Sequence, residues 1–114
     1  MGSETKALFK LALAQANPVV GDLEGNSETA WRLRKQAAGT AADLVVFSEL
    51  FLTGYPLEDL VLKPALRRAA RDVCEDLARK TGDGGPAILM GLPWADGDDV
   101  YNAVALLEGG RIAA

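Results

Sequence analysis

One carboxylate in this sequence is well placed to do chemistry. Phe47-Ser48-Glu49-Leu50-Phe51 sets Glu49 just past the short apolar run Asp43-Leu44-Val45-Val46-Phe47, with apolar side chains before and after it. Burying an ionised carboxylate is costly unless it is paired, and a glutamate in apolar surroundings acquires the character of a general base near neutral pH. The competing reading is plainer: Glu49 turns outward into solvent at a strand end, as most acidic side chains do. Tyr55, six residues on, either lines the same pocket or packs beside Pro56. Cys74 is the only cysteine. It flanks an apolar helical stripe and reads as a core thiol, since free cysteine behaves as a small hydrophobe. The sequence has no histidine to activate it as a nucleophile.

Other chemistries fall away on residue type and order. Without histidine, and with a single cysteine, the usual zinc sites cannot be assembled from these residues. The run Thr81-Gly82-Asp83-Gly84-Gly85-Pro86 comes before a strand rather than between a strand and a helix, which argues against a phosphate cradle. Asp96-Gly97-Asp98-Asp99 lacks the bidentate glutamate of a calcium loop and reads as a solvated turn.

The elements that must position Glu49 can be read from the apolar spacing. Ala7–Ala14 is a strand with Phe9, Leu11 and Leu13 on one face. Pro18 and Gly21 end it. A helix starts near Asn26 or Ser27, either of which can cap it, and buries Ala30, Leu33 and Ala37. Arg32, Arg34 and Lys35 lie mostly off that stripe and read as a solvated face. Gly39 stops the helix, and Asp43–Phe47 is a buried strand. Pro56–Leu62 makes a short helical turn. Pro64 then opens a helix to about Lys80 with Leu66, Ala69, Ala70, Val73 and Leu77 on its apolar face. Ala87–Gly91 is a strand closed by Leu92-Pro93-Trp94. Val100–Leu107 is the next strand, with Asn102 read as structural, and Glu108-Gly109-Gly110-Arg111 is a hairpin turn. The return strand begins at Arg111 or Ile112. Strand–helix–strand in this order is the βαβ pattern of a layered α/β domain with adjacent parallel strands.

The totals agree with an ordinary globular domain. The 114 residues suit one small domain, and a net charge of −4 with basic residues mixed among acidic and apolar ones argues against a nucleic-acid partner. No apolar run approaches the roughly 20 residues that span a bilayer. The opening Met1–Lys6 lacks the features of a signal peptide, and the lone cysteine suits a reducing compartment, so a cytoplasmic protein is expected. A sequence that stops at Ala114, in the middle of a hairpin, leaves an open edge and reads as the amino-terminal piece of a longer protein.

The words around Glu49 add a resemblance. Phe47-Ser48-Glu49, followed four residues later by Gly54-Tyr55-Pro56, resembles the catalytic glutamate segment of the nitrilase (carbon–nitrogen hydrolase) superfamily. The continuation Tyr55–Leu62 is similar to the branch formed by the amino-terminal glutaminase domains of glutamine-dependent NAD⁺ synthetases. The resemblance runs from Leu11 to about Ile112. It implies an α-β-β-α sandwich, incomplete in this chain, with 1–114 the front of a glutaminase domain. It implies a Glu–Lys–Cys triad in which Glu49 is the general base, the thiolate attacks the amide carbon and the lysine stabilises the charged intermediate. Lys63, Lys80 and Cys74 stand at the wrong places in the order to be the other two members. The chain alone is therefore expected to be inactive. Tyr55 is implied as a contact for the glutamine substrate. ATP, Mg²⁺ and deamido-NAD⁺ are implied only for a second domain outside these residues, and no cofactor or metal is expected in this chain. The parent protein is expected to form a homo-oligomer. Two alternatives remain open: a stand-alone amidase or carbamoylase, and a non-enzymatic α/β domain or self-associating piece with Glu49 simply a loop acid.

Overall fold

The computed structural model of the chain describes residues 8–55 and 63–114. Its elements follow in the order β1 (Leu11–Leu13), α1 (Leu23–Ala38), β2 (Leu44–Val46), α2 (Pro64–Lys80), β3 (Ala87–Asp96), β4 (Asp99–Glu108) and β5 (Arg111–Ile112). The strands form one five-stranded sheet whose spatial order is the chain order. β1, β2 and β3 run parallel, with Leu11 beside Leu44 and Leu44 beside Ala87. β3, β4 and β5 form an antiparallel meander. The two parallel crossovers step in the same direction across the sheet, and right-handed connections then put both helices on one face. That is observed: α1 and α2 pack against each other and over the sheet.

The period-two alternation of the strands divides the residues between two faces. Ala12, Val45, Ile88, Met90, Leu92, Ala105 and Leu107 pack under the helices in one core with Ala30, Cys74 and Leu77. The other face is open. Leu11, Leu13 and Val104 lie there and are exposed. In β1 it is the small alanine face that meets the helices, while the larger leucines point away from them.

Several local expectations change. The ladder of β1 covers Leu11–Leu13 only, and Ala7 and the turn expected at Pro56–Leu62 lie outside the described residues. Helix α1 begins earlier than Asn26 because Asp22 is its cap, accepting from the Gly25 amide at 3.0 Å. Pro64 does open α2, in the first turn where its missing N–H costs nothing. β3 does not close at Leu92-Pro93-Trp94 but continues to Asp96. The proline is tolerated because Leu89 and Gly91 turn their carbonyls toward the β2 side, accepting from Phe47 and Leu52. Pro93 turns its nitrogen to that same side, where β2 has already ended, so no ladder bond is lost. β5 pairs with the end of β4 at Leu107 and Glu108, and backbone bonds from Leu106 N to Ala114 O and from Ala113 N to Leu106 O continue the contact. No helix among the described residues is long and apolar enough to cross a membrane.

Arg34 is the clearest correction. Far from being solvated, it is buried, with its guanidinium donating to Pro86 O at 2.8 Å and to both oxygens of Asp83 at 2.9 and 2.7 Å. It also lies 4.6 Å over the Trp31 ring. A planar fork that matches a carboxylate suits such a site better than a lysine would. The hydrogen bonds from Arg34, and then that from the Gly85 amide, hold the Asp83 carboxyl well below the usual carboxylate range. A depressed carboxyl contributes stability above its unfolded pKa of about 3.9, and that stability is lost as pH falls below it. Asp83→Asn is expected to cost about 1.5 kcal/mol at neutral pH, the lower end for a hydrogen bond to a charged group, because Asp83 is half exposed and water competes. Thermal denaturation from pH 7 to pH 2 should show the wild type losing stability below about pH 4 faster than the variant. Parallel curves would remove Asp83 from the acid response.

Candidate active site

Glu49 sits where parallel strands commonly present functional groups, just beyond the carboxyl end of β2. The turn that carries it is tied down on every side. Phe51 N donates to Ser48 O at 3.1 Å and Gly54 N to Leu50 O at 2.8 Å, closing the turn on itself. Leu52 N donates to Gly91 O at 3.1 Å, which hangs the turn on β3. Gly21 N donates to Thr53 O at 2.8 Å, which hangs it on the loop after β1. Phe47, Leu50, Phe51, Leu52 and Thr53 are all buried. Leu50 adopts φ +52°, uncommon for a residue with a branched side chain and a local cost that the burial around it must offset.

The apolar neighbours therefore do not bury Glu49. They turn into the core, while Glu49 itself is exposed on the open face of the sheet. Of the two readings the sequence leaves open for Glu49, the outward one describes its place among the described residues. What meets the carboxylate is Asn102, whose Nδ2 donates to Glu49 Oε2. Asn102 was read from sequence as structural, and the signal that could have found it is register. In β4 it lies opposite Pro93, on the same face as the Gly91–Val104 pair. The Glu49 turn crosses that face directly over Gly91: a Cβ there would lie 2.5 Å from Leu50 N and 2.8 Å from Ser48 O.

Asn26 is a residue that sequence reasoning misplaced. It does not cap α1. Its buried amide accepts from Val19 N at 2.8 Å and donates to Val19 O at 2.8 Å and Leu52 O at 3.0 Å. One side chain thus joins α1, the loop after β1 and the Glu49 turn. Gly54, buried with φ +87°, completes the junction by letting the Val19-Val20 backbone approach. Tyr55, next in sequence, is exposed.

The remaining reactive groups lie elsewhere. Cys74 is fully buried under the sheet's helical layer. Burial, with the neighbouring Glu75 carboxylate acting in the same sense, pushes its thiol up to about 11. A nucleophilic cysteine needs the opposite shift. Lys80 lies 5.5 Å from the Trp31 ring, on the helical side. A cavity of about 520 Å³ between α2 and the β-meander, lined by Arg71, Glu75, Trp94 and Arg111 among others, does not include Glu49.

The chain thus combines a mixed sheet with helices on one face and an acid beyond the end of a parallel strand on the other, a layered α/β arrangement. The family model for carbon-nitrogen hydrolases matches residues 10–113, and the chain belongs to that family. The open face is the one that the second sheet of an α-β-β-α sandwich would cover. A glutamine-dependent NAD(+) synthetase of Rhodobacter capsulatus is 44% identical over 106 residues, covering 93% of this chain and 19% of that protein. The solved structure of a glutamine-dependent NAD⁺ synthetase from Acinetobacter baumannii superposes with a TM-score of 0.84 at 31% identity, over 93% of this chain and 20% of the other. An amidase from Nesterenkonia sp. shares the fold, with a TM-score of 0.76 at 24% identity over 93% of this chain and 41% of that one. The chain thus spans about a fifth of the length of the synthetases it matches.

Proposed function

We propose that this chain is the amino-terminal part of the glutaminase domain of a glutamine-dependent NAD⁺ synthetase, with Glu49 as general base. The observation that carries the reading is the 44% identity to such a synthetase across nearly the whole chain. Glu49 on the face that a second layer would close supports it. In the reading, the Glu49 carboxylate takes the proton of a cysteine thiol that lies outside these residues. The thiolate then attacks the side-chain amide of glutamine, the proton held by Glu49 passes to the nitrogen so that it leaves as ammonia, and water hydrolyses the glutamyl thioester to glutamate and free thiol. A lysine, also outside these residues, stabilises the charge on the intermediate. Without those two groups the chain by itself does not turn over glutamine. Tyr55, exposed and next in sequence to the anchored Gly54, offers its ring to the aliphatic part of the substrate in this reading. The reading also carries a cytoplasmic location and a homo-oligomeric parent.

Released ammonia would serve an ATP-dependent amidation of deamido-NAD⁺ in another domain. Among the described residues, no three of His, Cys, Asp or Glu converge as a donor set. The glycine-rich run before β3 is not free to cradle a phosphate either, since Arg34 binds Asp83 and Pro86 within it. No step on this chain runs through either ligand. The test is to supply the full-length protein with glutamine, ATP and deamido-NAD⁺ and follow NAD⁺. NAD⁺ formation is expected. Ammonia released from glutamine or another amide without NAD⁺ would move the assignment to a stand-alone hydrolase, and no amide hydrolysis at all would reduce Glu49 to a loop acid.

A further inference from the structure

We propose that Asn102 is a positioning residue for Glu49, its amide N–H holding one carboxylate oxygen so that the other is presented to the reacting thiol. The inference rests on the reading of Glu49 as the base and deepens it.

The contact joins residues 53 apart in sequence, so nothing local enforces it. Two tertiary features do. The Leu52–Gly91 bond and the close crossing at Gly91 fix the height of the turn above β3. The β3–β4 register then places Asn102 on the same face, two pairs along from Gly91–Val104. An ionised carboxylate only accepts hydrogen bonds, so the amide must present its nitrogen to Glu49. Both side chains are exposed, and water competes for each partner, so the bond contributes little to stability. What it does is fix direction. Glutamate has three rotatable bonds before its oxygens, and a base acts only when an oxygen lies within hydrogen-bond reach of the proton it takes. With Oε2 held by Asn102, the lone pairs of Oε1 are left to accept the thiol proton, and the carboxylate becomes a carboxylic acid still anchored to β4. The β3–β4 hairpin is thereby part of the glutaminase site rather than only its scaffold.

The experiment uses the full-length protein, with Glu49→Gln, Asn102→Ala and Asn102→Asp assayed for NAD⁺ formation from glutamine and from ammonia. Asn102→Ala is expected to lower glutamine-driven kcat about 10- to 100-fold, the effect of one hydrogen bond to a charged group, with KM for glutamine little changed. Asn102→Asp keeps the shape but replaces the donor with a like charge, so its kcat is expected to fall further than that of Asn102→Ala. Ammonia-driven synthesis reports that each variant is folded. In the Glu49→Gln background, Asn102→Ala should cause no additional loss, because the group it positions is gone. A merely structural asparagine would give the opposite order, with the isosteric aspartate milder than alanine, and additive losses in the double variant. Either result would overturn the proposal while leaving Glu49 as the base. Full glutamine activity in Glu49→Gln would overturn both.

Discussion

Glu49→Gln in the full-length protein is expected to lower NAD⁺ formation from glutamine by about 10²–10⁴-fold, the usual contribution of a positioned general base. Synthesis from free ammonia should stay near the wild-type rate. The substitution removes a negative charge and a proton acceptor but leaves the length and shape of the side chain. Nothing in the core should respond, because Glu49 is exposed while Phe47, Leu50 and Phe51 on either side fill the interior. The amide of glutamine can still accept from Asn102, so the loop has no reason to move. The split between the two nitrogen sources is therefore the informative quantity. Equal losses with both would point to damaged folding or to a role outside glutamine hydrolysis. Unchanged glutamine activity would remove Glu49 from the chemistry.

The second large effect is structural. Gly54→Ala is expected to destabilise the protein by about 2–5 kcal/mol, combining left-handed strain on a residue with a Cβ and overpacking against fixed backbone. Gly54 has φ +87°, and a Cβ on it would lie 2.6 Å from Val20 Cα and 2.8 Å from Val20 N. Those atoms cannot give easily, since the Val19 peptide groups are held from the other side by Asn26. Gly84→Ala is the matched control: its φ of +81° imposes similar strain, but nothing lies within 4 Å of the added carbon. Chemical denaturation of both variants separates the two causes. Gly54→Ala should lose clearly more than Gly84→Ala, and equal losses would show that the approach of Val20 carries no cost. A variant that survives should also lose glutamine hydrolysis, because Gly54 closes the turn that carries Glu49.

The order of strands and helices was legible in the sequence because it is written in local periodicity. Alternation marked β4, and spacings of three and four marked α2 with Cys74 beside its buried face. The place of Glu49 beyond a short buried strand was legible for the same reason. Its surroundings were not. The sequence left two readings open, an acid buried among its apolar neighbours or one turned outward, and the chain turns those neighbours inward and the acid outward, a division the path of the turn over Gly91 decides. Arg34 looked like one of three solvated cations, and its burial depends on Asp83 and Pro86, 49 and 52 residues away. Asn26 fits any helix start by type, but its partners Val19 and Leu52 come from two separate loops. Asn102 is one polar residue on the polar-permitting face of a strand until register places it over Glu49. Apolar pattern by itself determined the elements and their order, since burial repeats with the period of each element. Which polar groups meet was decided by the tertiary structure, because a hydrogen bond requires two particular atoms to converge, and no local period encodes a partner 50 residues away.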